Sequence, residues 1–357
     1  MKINRQRAIS KMNFLSSERI PFIFIIDFLG ENCIIEPLEK LDSTQIRFWV
    51  NGQTNVAAGR GEKKMPKRTI TLDKFPINFE EYKGAFDYVQ KNIFQGNSFL
   101  TNLTCETPIS LNMSLLEVFE ESDAKYKVWL NGSFVCFSPE TFVKISKEGK
   151  ISSFPMKGTI DASLPDAQKQ IMSDTKELYE HTTIVDLIRN DLSKVADKVW
   201  VEKFRYLDKI ETQDGGELLQ VSSQISGLLP ANWKDHVGEI LFAMLPAGSI
   251  SGAPKQKTIE IIEEAEKETY QTYDGVLATR DFYTGICGVF DGSSLDSGVM
   301  IRFIEQTPQG LVFKSGGGIT SNSIAAKEYE EMIQKIYVPI VRDHQIRKPT
   351  TSQSLVP

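Results

Sequence analysis

The chain has 357 residues, 41% of them hydrophobic and 25% charged, with a formal net charge of −6; this is a globular balance with room for a large core. That negative charge, with no Lys/Arg-rich block interleaved with aromatics, excludes a binder of phosphate backbones. Four scattered cysteines (Cys33, Cys105, Cys136, Cys287) lack a CxxC pair and three histidines (His181, His236, His344) lack HExxH spacing, which excludes a disulfide framework and a zinc centre.

At the N-terminus, basic residues precede the apolar run "IPFIFIIDFLG". That run carries Asp27, lacks a small-residue cleavage site and is too short to cross a bilayer, so it predicts a buried strand, and a cytoplasmic chain is expected. "QIRFWVNGQTNVAAG", with an Asn-Gly hairpin signal, and "RTITLDKFPI" continue the strands. "NFEEYKGAFDYVQKNIFQGNS" predicts an amphipathic helix with Phe79, Tyr82, Phe86, Val89 and Ile93 on one face, stopped by Gly96. "FLTNLTCETPI", "KVWLNGSFVCFSPETFVKIS" and "GKISSFPMKGT" predict further strands.

Residues 165–200 follow a helical pattern, and "NWKDHVGEILFAMLPAGSISGAPKQKTIEIIEEAEKE" predicts a helix, a Gly/Pro-rich loop and a second helix. "GICGVFDGSSLDSGVMIRFIE" and "GLVFKSGGG" are strands, and "SNSIAAKEYEEMIQKIYVPIVRDH" a closing helix. Mixed helices and hairpins point to an α+β chain. Its expected divisions are a short strand-rich part, 1–85, a larger body, 86–342, continuous with it, and a polar, disordered tail, 343–357.

Chemistry is concentrated in a few places. Glu177 and Glu180 stand at i, i+3 on a helical face, and Glu328 and Glu331 repeat the spacing with Lys335 one turn on. Two such pairs offer the oxygen ligands that a hard cation such as Mg²⁺ wants, although ExxE also occurs at Glu117/Glu120 and Glu260/Glu263, where a solvated face is the plain reading. "FKSGGGITSNS" and "LPAGSISGAPK" place glycines ahead of helices, where backbone N–H groups can close on an anion or simply form a tight turn. Arg302, inside an apolar stretch, needs an anionic partner: a ligand carboxylate or a structural ion pair.

The ordered blocks "FPMKGT", "EHTTIVDLIRNDLSKV", "LPAGSISGAPK", "YTGICGVFDG", "SGGGI" and "EYEEMIQK" resemble the signature blocks of the chorismate-utilising enzymes over about 200 residues. That resemblance implies two mostly antiparallel sheets packed face to face with helices outside, and makes 86–342 the chorismate-binding region. Lys157 in "PMKGT" resembles the nucleophilic lysine of aminodeoxychorismate synthase component I, where anthranilate synthases carry alanine. Leu100 stands where isochorismate and salicylate synthases carry a water-activating lysine. The resemblance therefore implies amination of chorismate to 4-amino-4-deoxychorismate, in para-aminobenzoate and folate biosynthesis, through covalent Lys157.

By the same resemblance, Glu140 in "FSPETF" is the general acid. Thr159, Ser249, Tyr283, Arg302, Gly316, Gly317 and Lys335 line the substrate pocket, and Glu177, Glu180, Glu328 and Glu331 hold Mg²⁺. Gln220 replaces a histidine linked with pyruvate loss, Thr141 an arginine, and Ala247 and Asp281 glycines; these leave pocket details open. The short N-terminal part implies no amino-acid feedback pocket. None of the four cysteines sits in a G-x-C-x-G elbow, so ammonia is expected from a separate glutamine amidotransferase subunit or from solution, and no lyase domain is expected. The alternatives are anthranilate synthase component I, which Lys157 and Gln220 disfavour, and a non-catalytic paralogue that binds chorismate or an amidotransferase.

Overall fold

Phe22–Ile26 is buried at every position. Its odd and even side chains enter different apolar clusters: Phe22, Phe24 and Ile26 one, Ile23 and Ile25 another. A strand apolar on both faces must lie inside a stack of layers. The computed structural model, which describes residues 2–56, 70–211 and 216–340, shows that stack. The expected tail 343–357 and the stretch 57–69 between two predicted strands lie outside the described residues.

The first nine-stranded sheet runs, in spatial order, Met156–Asp161, Glu217–Leu228, Lys150–Ser153, Thr141–Ile145, Leu295–Val299, Ile286–Phe290, Phe22–Ile26 and Cys33–Pro37, with Lys198–Glu211 also paired to Glu217–Leu228. The second runs Gly252–Ala253, Leu100–Leu111, Gly310–Ile319, Phe303–Thr307, Phe134–Ser138, Tyr126–Leu130, Ile46–Val50 and Gln53–Thr54, with Leu72–Lys74 paired to Leu100–Leu111. All these pairings are antiparallel. Between the sheets lies a cluster built from both: Ile23, Ile25, Cys287 and Val289 of the first meet Phe48, Tyr126, Phe134 and Phe303 of the second. The expected α+β sandwich of face-to-face sheets is what forms.

Helices cover the outer faces. Helix α1 (Arg5–Ser17), capped by Asn4, buries Ala8, Met12 and Leu15. Helix α2 (Phe79–Phe94) begins at a capping box of Asn78 and Glu81 and buries the predicted Tyr82, Phe86, Val89 and Ile93. Helices α3 (Leu115–Glu121), α4 (Ala167–Ser173), α5 (Thr175–Ser193), α6 (Val237–Ala243), α7 (Lys255–Ala265) and α8 (Ala325–Gln334) follow. Residues of α1, α5 and α6 pack on the first sheet, and those of α2, α3, α7 and α8 on the second. Among the described residues no helix is long and apolar enough to cross a membrane.

Four elements differ from expectation. Helix α1 rests on a narrow stripe that a polar composition hides. The helical stretch 165–200 is split at Asp174, whose side chain accepts from Glu177 N and starts α5. Helix α8 is shorter than predicted, because the chain turns towards a bridge between Ile340 and Ser122 as it approaches Pro339, which cannot extend a helix. Arg302 lies just outside a strand rather than within one.

The chain crosses between sheets twice at one place. It leaves the second sheet at Ser138 and enters the first at Thr141, then leaves the first at Val299 and re-enters the second at Phe303. The crossings are laced together, Val299 N donating to Glu140 O at 3.1 Å and Phe137 N to Arg302 O at 3.0 Å. Glu140 and Arg302 sit on these connectors.

A Cβ on Gly316 would lie 2.3 Å from the Leu103 carbonyl oxygen on the neighbouring strand, which cannot yield without breaking the ladder. Gly316→Ala is expected to lower stability by about 2–3 kcal/mol through overpacking, read as a smaller urea midpoint at unchanged slope.

Candidate active site

Lys157 owes its direction to an irregular strand. Met156 stands opposite Ser222 and Thr159 opposite Gln220, so one extra residue is bulged out, and Gly158 adopts φ +79°. A β-bulge re-aims the side chain it carries. Lys157 Nζ consequently meets Glu180 Oε2 at 3.3 Å, the two side chains only 27% and 13% exposed. Glu177, one turn earlier on α5, brings Oε2 to 2.9 Å from the point a Gly158 Cβ would occupy; that flexible carboxylate could yield, and it is the positive φ that favours glycine at the bulge.

Opposite stands the glycine strand. Lys157 Nζ lies 3.6 Å and Leu100 Cδ1 3.1 Å from the position of a Gly318 Cβ. A Gly317 Cβ would lie 3.5 Å from Glu328 Oε2, 3.6 Å from Lys335 Nζ and 3.9 Å from Glu331 Oε1. Both lysines reach this glycine edge. Lys335 Nζ donates to Gly316 O at 2.8 Å and pairs with Glu331 Oε1 at 2.7 Å. Burial pushes its ammonium pKa down, against the pull of Glu331.

Glu140 is held by Ser249, whose hydroxyl donates to Oε1. Burial pushes this carboxyl above the ordinary glutamate range, while the Ser249 bond and the charges of Arg302, Lys157 and Lys335 draw it partly back. The result is a carboxyl that keeps its proton to higher pH than a free glutamate, the condition for a general acid. Arg302, Lys157 and Lys335 all act on this one acid, but Glu180 and Glu331 already pair with the two lysines, so a ligand carboxylate would have to share or displace those partners.

The remaining expected pocket residues are placed less directly. Tyr283 is buried against Phe303, with ring centroids 5.9 Å apart, and its phenol is pushed up by burial despite the nearby charges of Arg280 and Arg302. Thr159 is exposed on its strand. Ser249, expected to line the pocket, has the acid as its partner.

The four glutamates are hard oxygen donors of the kind Mg²⁺ takes. Their carboxylates approach Lys157, Gly158 and Gly317, and two are neutralised by lysine. Among the described residues no three His, Cys, Asp or Glu side chains converge as they would around a metal ion. By donor chemistry alone the four carboxylates suit a divalent cation, while in this structure lysines balance two of them.

Three supports escaped sequence reasoning. Lys255 donates to both oxygens of Asp191, at 2.6 and 2.7 Å, and burial lowers its pKa to about 8. This ties the loop carrying Ser249 to α5, and joins "GAPK" to "RND". Arg280, 2% exposed, donates to Glu266, to Ile250 O at 2.9 Å and to Asn102 O at 2.6 Å. His181 Nε2 meets Ser223 Oγ at 2.6 Å, and burial lowers its pKa to about 4, so the imidazole is neutral at pH 7.

Residues 20–340 match the family model described as chorismate binding enzyme. An uncharacterized PabA-like protein of Pasteurella multocida (strain Pm70) is 49% identical over 332 residues, 93% of this chain and 98% of that one. The aminodeoxychorismate synthase component 1 of Klebsiella aerogenes is 28% identical over 315 residues, 84% of this chain and 64% of that one. Among solved structures, anthranilate synthase component I from Streptococcus pneumoniae TIGR4 superposes with a TM-score of 0.60 at 25% identity, covering 74% of this chain and 58% of that one.

Proposed function

This chain belongs to the chorismate binding enzyme family, and from that premise we propose that it is an aminodeoxychorismate synthase component I. It would convert chorismate and ammonia to 4-amino-4-deoxychorismate and water, with ammonia from a separate glutamine amidotransferase subunit or from solution. The observation that carries this reading is the bulged Lys157, which reaches the glycine edge beside Leu100, an apolar side chain unable to activate water.

In the proposed reaction Lys157, ion-paired with Glu180 in the structure, first gives up a proton to solvent, and the free amine Nζ bonds to ring C2 while the double bonds shift and the C4–O bond breaks. Glu140 gives its proton to the departing hydroxyl, which leaves as water, and becomes a carboxylate. Ammonia bonds to C4, the double bonds shift back, and the C2–N bond breaks with its electron pair returning to Lys157. The new C4 ammonium returns one proton to Glu140, so acid and amine are both restored. Arg302, Lys335 and the Gly316–Gly317 backbone hold the carboxylates, with Tyr283, Thr159 and Ser249 around the ring. Glu177, Glu180, Glu328 and Glu331 would hold Mg²⁺, which supplies positive charge for the ring carboxylate.

The reading is tested by incubating the pure chain with chorismate, ammonium and Mg²⁺, and identifying the product by mass. Aminodeoxychorismate is expected, and none without Mg²⁺. Fluorescent anthranilate would transfer the chain to the anthranilate synthases, and unchanged chorismate would favour a non-catalytic binder.

A further inference from the structure

Arg302 is placed in an unusual way. Its backbone is in the left-handed region, φ 56°, at the crossing from the first sheet to the second. Its Nε is buried and, among the described residues, has no hydrogen-bond partner. Its guanidinium lies over the ring of Tyr337, 5.4 Å from the centroid. Tyr337 is 45% exposed, too open to be core packing. Its backbone is nevertheless pinned on both sides: Ile336 is fully buried, Asp123 N donates to Pro339 O at 2.7 Å, and Ile340 bridges to Ser122.

An arginine can be fixed in two ways. A carboxylate partner occupies the edge of the fork and uses up its donors. An aromatic ring holds the flat face and leaves the in-plane N–H groups free. We propose that Tyr337 is a positioning residue, which holds Arg302 through its ring and so leaves the N–H groups of the guanidinium unspent for a ligand carboxylate. This rests on the proposed function only in taking chorismate as the ligand. Tyr337 lies in none of the sequence blocks that carry the family resemblance.

The test is chorismate binding by calorimetry, with Mg²⁺ and without ammonia, together with steady-state kinetics. Tyr337→Ala is expected to weaken binding about three- to ten-fold, as for a partly desolvated cation–π contact, with kcat changed by less than about two-fold. Tyr337→Phe keeps the ring face and should bind like the parent chain. In an Arg302→Lys background, which lacks a flat face, Tyr337→Ala should add little further loss. Parent-like binding by Tyr337→Ala, or equal losses in Tyr337→Phe and Tyr337→Ala, would overturn the assignment and leave the proposed function standing. If the parent chain binds no chorismate, both readings fall.

Discussion

Lys157→Ala is expected to cut kcat by at least about a thousand-fold, because a covalent route without its nucleophile has no alternative group to enter it. Glu180 is bonded to Lys157, and it cannot replace an amine that donates an electron pair to carbon. Leu100, on the other side of the same space, has no heteroatom. Truncation leaves Glu180 without its lysine counter-charge in a half-buried place, so some stability is lost as well. Binding of chorismate should persist, since Arg302 and Lys335 are untouched. Intact-protein mass spectrometry separates the chemical loss from the structural one. With chorismate and no ammonia, the parent chain should gain a mass equal to chorismate less one water, and Lys157→Ala none. Turnover by a folded Lys157→Ala chain would rule out the covalent step.

The layered fold was legible because its signals are local. "FIFII" shows five apolar residues in a row, which only a strand covered on both faces satisfies, and α2 repeats its apolar positions at helical spacing between Asn78 and Gly96. Asn51 and Gly52, at φ 47° and 100°, form the turn their dipeptide predicts. Helix α1 was missed because only Ala8, Met12 and Leu15 mark its buried stripe among polar residues. The hairpin of Lys198–Glu211 and Glu217–Leu228 drew no prediction, since charged residues run through its first strand. The site was legible as residue types but not as partnerships. Lys157 and Glu180 are 23 positions apart and Glu140 and Ser249 are 109 apart, and only the sheet crossings and the bulge at Gly158 bring each pair together.

Glu140→Gln separates a catalytic role from a structural one by moving activity and stability in opposite directions. Glutamine fills the same space and can still accept from Ser249, but has no proton to give the leaving hydroxyl; kcat should fall by about a hundred- to ten-thousand-fold, the usual worth of a positioned acid. Burial raises the Glu140 pKa above the ordinary glutamate range. Between the unfolded and the folded value the native state therefore binds more protons than the unfolded chain. Stability from this group is complete below the unfolded value and is lost as pH rises through the folded one. Above its raised pKa the parent chain carries a half-buried carboxylate that the amide variant lacks, so in that range Glu140→Gln should melt at the same or a higher temperature and gain less on acidification. The parent's kcat should likewise decline as pH rises through the raised pKa, on the side where the acid loses its proton. A variant that loses activity and melts lower in that range would make Glu140 a structural anchor for Ser249, and the donor of the proton would have to be sought elsewhere in the pocket.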